Sequence, residues 1–148
     1  MGEWALDWNR KIAPGPNEVG FNYSYIMAAT QDRVPTVYIE DGYVVGLDNK
    51  YPIEINYKEN LEGEPTGKAN PELVTINWHH GHNNSIMNGI PRIGYMKGGK
   101  SAKWSDVDMA DHFLEKAKGY VKRKKDKPFF CIMQCNNPMS LELRIQDL

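Results

Sequence analysis

Three stretches of the chain carry a clean hydrophobic period. "TVYIEDGYVVGL" is the clearest β signal: residues 36–40 and 43–47 are β-branched and aromatic, with Asp41-Gly42 between them. Asp-Gly supplies the positive φ angles of a two-residue hairpin turn, so a β-hairpin is expected. "YPIEINY", residues 51–57, alternates apolar and polar side chains and reads as a third short strand. "SDVDMADHFLEKAKGYVKRKKD" has the helical period: Val107, Ala110, Phe113, Leu114, Ala117 and Val121 fall on one face of a helix over 105–126. Ser105 and Asp108 have the spacing of a capping box, with Asp in place of the usual Glu. Acids (Asp106, Asp108, Asp111) crowd the first turns and bases (Lys122, Arg123, Lys124, Lys125) the last, as the helix dipole favours. This accounts for the basic run better than a nucleic-acid patch does. The helix runs at once into "PFFCIM", residues 128–133, which reads as the αβ half of a βαβ unit feeding a buried parallel strand.

Elsewhere the pattern is irregular. Residues 1–35 are rich in Gly, Pro, Asn and aromatics, and Pro14, Pro16 and Pro35 break any helix there. Phe21, Tyr23, Tyr25, Ile26 and Met27 need burial, so the segment is expected to be ordered but irregular. Residues 58–104 are dense in Gly, Asn and Pro, yet their Trp, Ile, Met and Tyr content argues for order. The expected fold class is α/β: a β-hairpin, a long ordered loop region, and one helix leading to a buried strand. There is no internal repeat and no low-complexity segment.

Composition narrows the classes. The 148 residues fit one ordinary domain. Eighteen Lys and Arg stand against 19 Asp and Glu, a net charge of −1, which argues against a nucleic acid as partner. No apolar run approaches the ~20 residues of a membrane span. "MGEWALDWNRK" has no apolar h-region, so no signal peptide is read here, which leaves an exported parent open. Cys131 and Cys135 have a C-x3-C spacing that is not a usual metal or redox spacing, and they read as structural or incidental.

Candidate chemistry gathers in "NWHHGHNN". His79, His80 and His82 have three readings: chelation of a transition metal, polar contact with a substrate, or a hydrogen-bonded structural loop. No carboxylate or cysteine completes a known ligand spacing there, and Asn83 and Asn84 are poor zinc ligands. His112 reads as a surface or boundary residue. "YMKGGKSAKW" lacks the arrangement of a phosphate loop. Asp32-Arg33 reads as an internal ion pair holding a turn in preference to an exposed sugar-binding pair. Neither a nucleophile elbow nor a dinucleotide fingerprint, a calcium loop or HExxH occurs. On its residues alone the chain is a loop-rich α/β fragment with a polar His/Asn loop.

Three long blocks add a family resemblance. "APGPNEVGFNYSYIMAATQDRVPTVYIEDGYVVGLD", "HGHNNSIMNGIPRIGYMKGGKSAKWSDVDMADHFLEKA" and "KDKPFF" resemble the middle of a bacterial arylsulfatase-type sulfatase, from about Trp8 to Phe130. The resemblance implies an alkaline-phosphatase-like fold and a hydrolase of sulfate esters, often on glycans, with a parent in the periplasm or on the outer surface. It implies a formylglycine nucleophile made in a C/S-x-P-x-R motif. It also implies a calcium ion held by Asp and Asn oxygens, and charged groups in GKWHLG and HxPH-like segments. None of these motifs is in this sequence, and neither cysteine has Pro two residues later. The chain is therefore expected to be an incomplete piece: residues 1–130 an internal segment of a sulfatase catalytic domain, with no catalytic residue and no metal ligand. Calcium and formylglycine are expected in the full-length family member only. Within the matched blocks, His80, His82, Asn83, Arg92 and Lys100 are the candidate substrate contacts, and a sulfated carbohydrate is the implied partner. Three alternatives stand beside this one. They are a non-catalytic sulfated-glycan-binding module using the His/Asn loop (His80, His82) with Trp78, Arg92 and the aromatic N-terminal segment, a metal-binding His loop, and a fragment complemented by a separate gene product.

The tail, residues 131–148, matches nothing before it. The family's usual continuation after "KPFF" can be written in synonymous codons such that dropping one base after Phe130 makes it translate as this tail. Residues 131–148 therefore read as an out-of-frame translation that truncates the sulfatase. Without a large central sheet, the face made by Ala110, Phe113, Leu114, Ala117 and Val121 has little to bury against, and marginal folding is expected. Sequencing the gene tests the frameshift: the neighbouring frame downstream of Phe130 should encode a sulfatase continuation. A neighbouring frame without one would refute it.

Overall fold

The computed structural model describes residues 6–76 and 81–133 and divides into two compact units, Met1–Asp106 and Val107–Leu148. In the first unit the Asp-Gly turn forms as its sequence demands. Asp41 and Gly42 take φ of 49° and 86°, joining β2 (Tyr38–Glu40) to β3 (Tyr43–Val44) in antiparallel register Ile39↔Val44 and Glu40↔Tyr43. The Asp41 carboxylate accepts hydrogen bonds from the Ser24 backbone N–H (2.8 Å) and the Asn17 amide (2.9 Å). The turn thus also anchors the segment before it. Part of that segment is not irregular: β1 (Tyr25–Met27) adds to the hairpin, with Ile26 opposite Ile39.

The third expected strand forms over a shorter span, β4 (Glu54–Asn56), and it does not join the hairpin. It pairs with β7 (Tyr95–Lys97), Ile55 opposite Met96, so the region expected to be loop supplies its partner. That region also holds a second hairpin, β5 (Ile86–Met87) and β6 (Ile90–Pro91), turned by Asn88 and Gly89 at φ of 53° and 73°. Asn-Gly is the strongest two-residue turn signal, for the same reason as Asp-Gly. The apolar residues of these small sheets converge in one core: Val34, Val37, Val44, Ile53, Met87, Met96 and Ala102, flanked by Trp8, Ile12 and Leu47.

In the second unit α1 spans Met109–Lys124, shorter than the expected 105–126. Asp108 is its N-cap and makes no side-chain cap hydrogen bond. Ser105 therefore lies three residues ahead of the cap, and the expected capping box does not form. Lys122, Arg123 and Lys124 occupy the last turn, as expected. The buried parallel strand over 128–133 is overturned. Among the described residues nothing pairs with this stretch, and Phe129, Phe130, Ile132 and Met133 are exposed. A strand needs a ladder to satisfy its backbone, and none is supplied here. Phe129 instead meets Tyr120 edge-on at 5.8 Å. Every paired strand is antiparallel, so the expected βαβ half is absent among the described residues.

Gly98 closes the β4–β7 pair. At φ 78° a side chain is already strained, and a Cβ would fall 1.8 Å from the Pro52 carbonyl oxygen. Gly63 has a similar φ of 81° and open space around it. Gly63→Ala should therefore cost ~1 kcal/mol from backbone strain, and Gly98→Ala more than ~3 kcal/mol because backbone must also move. Urea midpoints of the two variants check the difference.

Candidate functional site

The loop after β1 returns to the core through Thr30–Val34, where Arg33 N–H closes a turn on the Thr30 carbonyl (3.2 Å). The loop is then pinned to the segment before β7. Ile93 N–H donates to the Asp32 carbonyl (2.8 Å), and Val34 N–H donates to the Ile93 carbonyl (3.0 Å). This holds the Asp32 side chain outward, 38 % exposed. Its carboxylate accepts from the Thr30 hydroxyl and, at 3.4 Å each, from Nε and Nη2 of Arg33. His82 Nε2 stands 3.2 Å from Asp32 Oδ2, across 50 residues of chain. These bonds favour the ionised carboxylate, Thr30 foremost, then Arg33 and His82; burial opposes them. The net result lowers the Asp32 pKa to about 2.

The His/Asn loop is fastened from behind. Backbone bonds join Lys68 N–H to the Asn83 carbonyl (3.0 Å) and Gly67 N–H to the Asn84 carbonyl (2.8 Å). The Asn84 side chain accepts from Gly94 N–H (2.9 Å) and donates to the Tyr95 hydroxyl (2.9 Å) and to Asn83 Oδ1 (3.2 Å). Asn84 is thus spent on structure, and His82 is the loop residue whose side chain meets Asp32.

The other expected contacts are placed as follows. His80, with His79 and Trp78, lies outside the described residues. Asn83 adjoins His82. Arg92 is 3 % exposed and sits behind the loop: one terminal nitrogen donates to the Gln31 carbonyl, the other to Asp106 Oδ2 at 2.5 Å. Lys100 is exposed and lies 5.6 Å over the Tyr51 ring, in a separate set of contacts. His112 packs edge-on to Phe113. Asp32 and Arg33 are ion-paired, as expected, and both side chains are about half exposed. The Asp32–His82 contact was not legible in the sequence. Neither local spacing nor a motif links positions 50 residues apart. Among the described residues there is no group of three or more His, Cys, Asp or Glu side chains arranged to hold a metal ion.

Comparison with known proteins gives a consistent result. No protein-family model matches the chain. An N-acetylgalactosamine-6-O-sulfatase of Bacteroides thetaiotaomicron is 48% identical over 141 residues, covering 90% of this chain and 28% of that protein. One solved sulfatase structure, described under the metabolism of multiple glycosaminoglycans by the same bacterium, superposes with a TM-score of 0.83 at 49% identity. It covers 87% of this chain and 27% of its own. The chain therefore resembles a sulfatase in sequence and backbone over most of its length, while spanning little more than a quarter of theirs.

The lowered pKa fixes the sign of one prediction. A carboxylate ionised more readily in the folded state stabilises it above the ordinary value of 3.8, and the gain is lost as pH falls through about 2. Asp32→Asn should therefore be less stable than the parent above about pH 4, by ~1 kcal/mol or less because the group is partly solvated. The gap should close toward pH 2, as read from denaturant midpoints across that range.

Proposed function

We propose that the chain is a segment of a carbohydrate sulfatase that supplies ligand-facing loop contacts and not the reacting groups. The observation that carries this reading is the half-exposed cluster of Asp32, Arg33 and His82, built on a chain 48% identical to a carbohydrate sulfatase. Its chemistry suits a sulfated sugar. An ionised carboxylate accepts hydrogen bonds from ring hydroxyls, a guanidinium donates to sulfate oxygens in a fixed planar fork, and an imidazole can do either. The ligand class is a sulfated carbohydrate, as the name of the relative indicates for that protein.

The reaction itself is assigned to parts of the parent enzyme that this sequence does not carry. Formylglycine would supply the nucleophile in a full-length sulfatase, and calcium would polarise the sulfate. Neither fits this chain. The formylglycine motif is absent from the sequence, and the described residues offer no grouped ligand set. What these residues do is bind and orient: Asp32 and His82 define a polar edge, and Arg33 adds positive charge beside it. A non-catalytic module for sulfated glycans would use the same three side chains.

Calorimetry with a glycan carrying N-acetylgalactosamine-6-sulfate tests the proposal. Weak, roughly millimolar binding is expected, reduced about tenfold or more by Arg33→Ala or His82→Ala, without release of sulfate. No heat at millimolar ligand would remove the binding role, and sulfate release by the chain alone would remove the non-catalytic one.

A further inference from the structure

Arg92, 3 % exposed, bonds to both segments that carry the candidate cluster. Its backbone N–H donates to the Ser85 carbonyl (2.9 Å), and its carbonyl accepts from Asn84 N–H (3.0 Å). This holds the strand segment that begins two residues after His82. Its side chain crosses to the other loop and donates from Nη1 to the Gln31 carbonyl, one residue before Asp32. Nη2 pairs with Asp106 Oδ2 at 2.5 Å. Asn88, from the turn of the β5–β6 hairpin, donates to the same carboxylate oxygen at 2.7 Å and to the Trp104 carbonyl at 2.8 Å. Asp106 is thus itself held in place.

We propose that Arg92, oriented by Asp106, is a positioning residue that sets Asp32 against His82. A role confined to stability accounts poorly for the choice of residue. Burying a guanidinium carries a desolvation cost that an apolar side chain of similar volume avoids. Arg92 Nε is also left without a hydrogen-bond partner, a further penalty. The two terminal nitrogens, by contrast, are both engaged, and they point to different elements. A planar fork bridges a carboxylate and a backbone carbonyl at once, and a lysine ammonium does not offer that geometry. The inference extends the ligand-facing reading of Asp32, Arg33 and His82, but the geometry can be tested without any ligand.

The experiment is a carbon-detected NMR titration of the Asp32 carboxyl in the 148-residue chain and in Arg92→Lys, Arg92→Met and Asp106→Asn. The parent should titrate at about 2. Arg92→Met should raise the midpoint toward the ordinary 3.8, because the loop no longer holds Asp32 against His82, whose hydrogen bond is one of those that lower it. Arg92→Lys and Asp106→Asn should fall between. Variants that lose stability but leave the folded-state midpoint at about 2 would overturn the proposal in favour of a structural clamp. So would failure of all three to fold. Calorimetry with the sulfated glycan on the same samples separates the two readings. A shifted Asp32 midpoint with no glycan binding by the parent keeps the positioning role and removes the ligand.

Discussion

The first unit depends on a short crossing of two backbones, residues 31–34 against 92–94. Two hydrogen bonds make it, Ile93 N–H to the Asp32 carbonyl and Val34 N–H to the Ile93 carbonyl. On its inner side the crossing buries Val34 completely in the core that also holds Met96. Gly94 permits the approach, since a Cβ there would stand 2.7 Å from a Val34 methyl. On its outer side the crossing presents Asp32. Core and candidate site are therefore two faces of one contact, and a change that loosens one is felt by the other.

Local turn chemistry was the most legible part of the sequence, because two-residue turns are decided by the residues within them. Asp41-Gly42 announced its hairpin, and Asn88-Gly89 carried an equally strong signal for β5 and β6 inside the region expected to be loop. It was masked by strands of two residues, too short to show a period. Strand partners were not legible: β4 pairs with β7 about 40 residues away. The stretch at 128–133 shows the limit of composition. Its side chains are those of a buried strand, yet burial and pairing need neighbours, and the described residues provide none.

The candidate site divides the same way. The polarity of the His/Asn loop was visible, as was the Asp32-Arg33 pair, because both are runs of adjacent residues. Their meeting was not, since it is made by the backbone crossing and by Arg92. Arg92, a candidate substrate contact within the matched blocks, is buried. Its burial follows from the position of Asp106, whose carboxylate makes an interior guanidinium tolerable.

The proposed function separates recognition from reaction along the sequence. The polar links described for the candidate cluster lie between Thr30 and Asp106, inside the first unit, whose core is built from that unit's own residues. The described residues of the second unit contribute a helix and exposed apolar side chains, Phe130 among them, and no group of the cluster. The motifs that would supply nucleophile and metal in a full-length sulfatase have no counterpart in these 148 residues. Asp32, Arg33 and His82 draw their geometry from contacts within the first unit, so their arrangement does not require the missing chemistry to be present. Under the proposed function, a polar edge built in this way orients a sulfated sugar before, and independently of, any attack on sulfur.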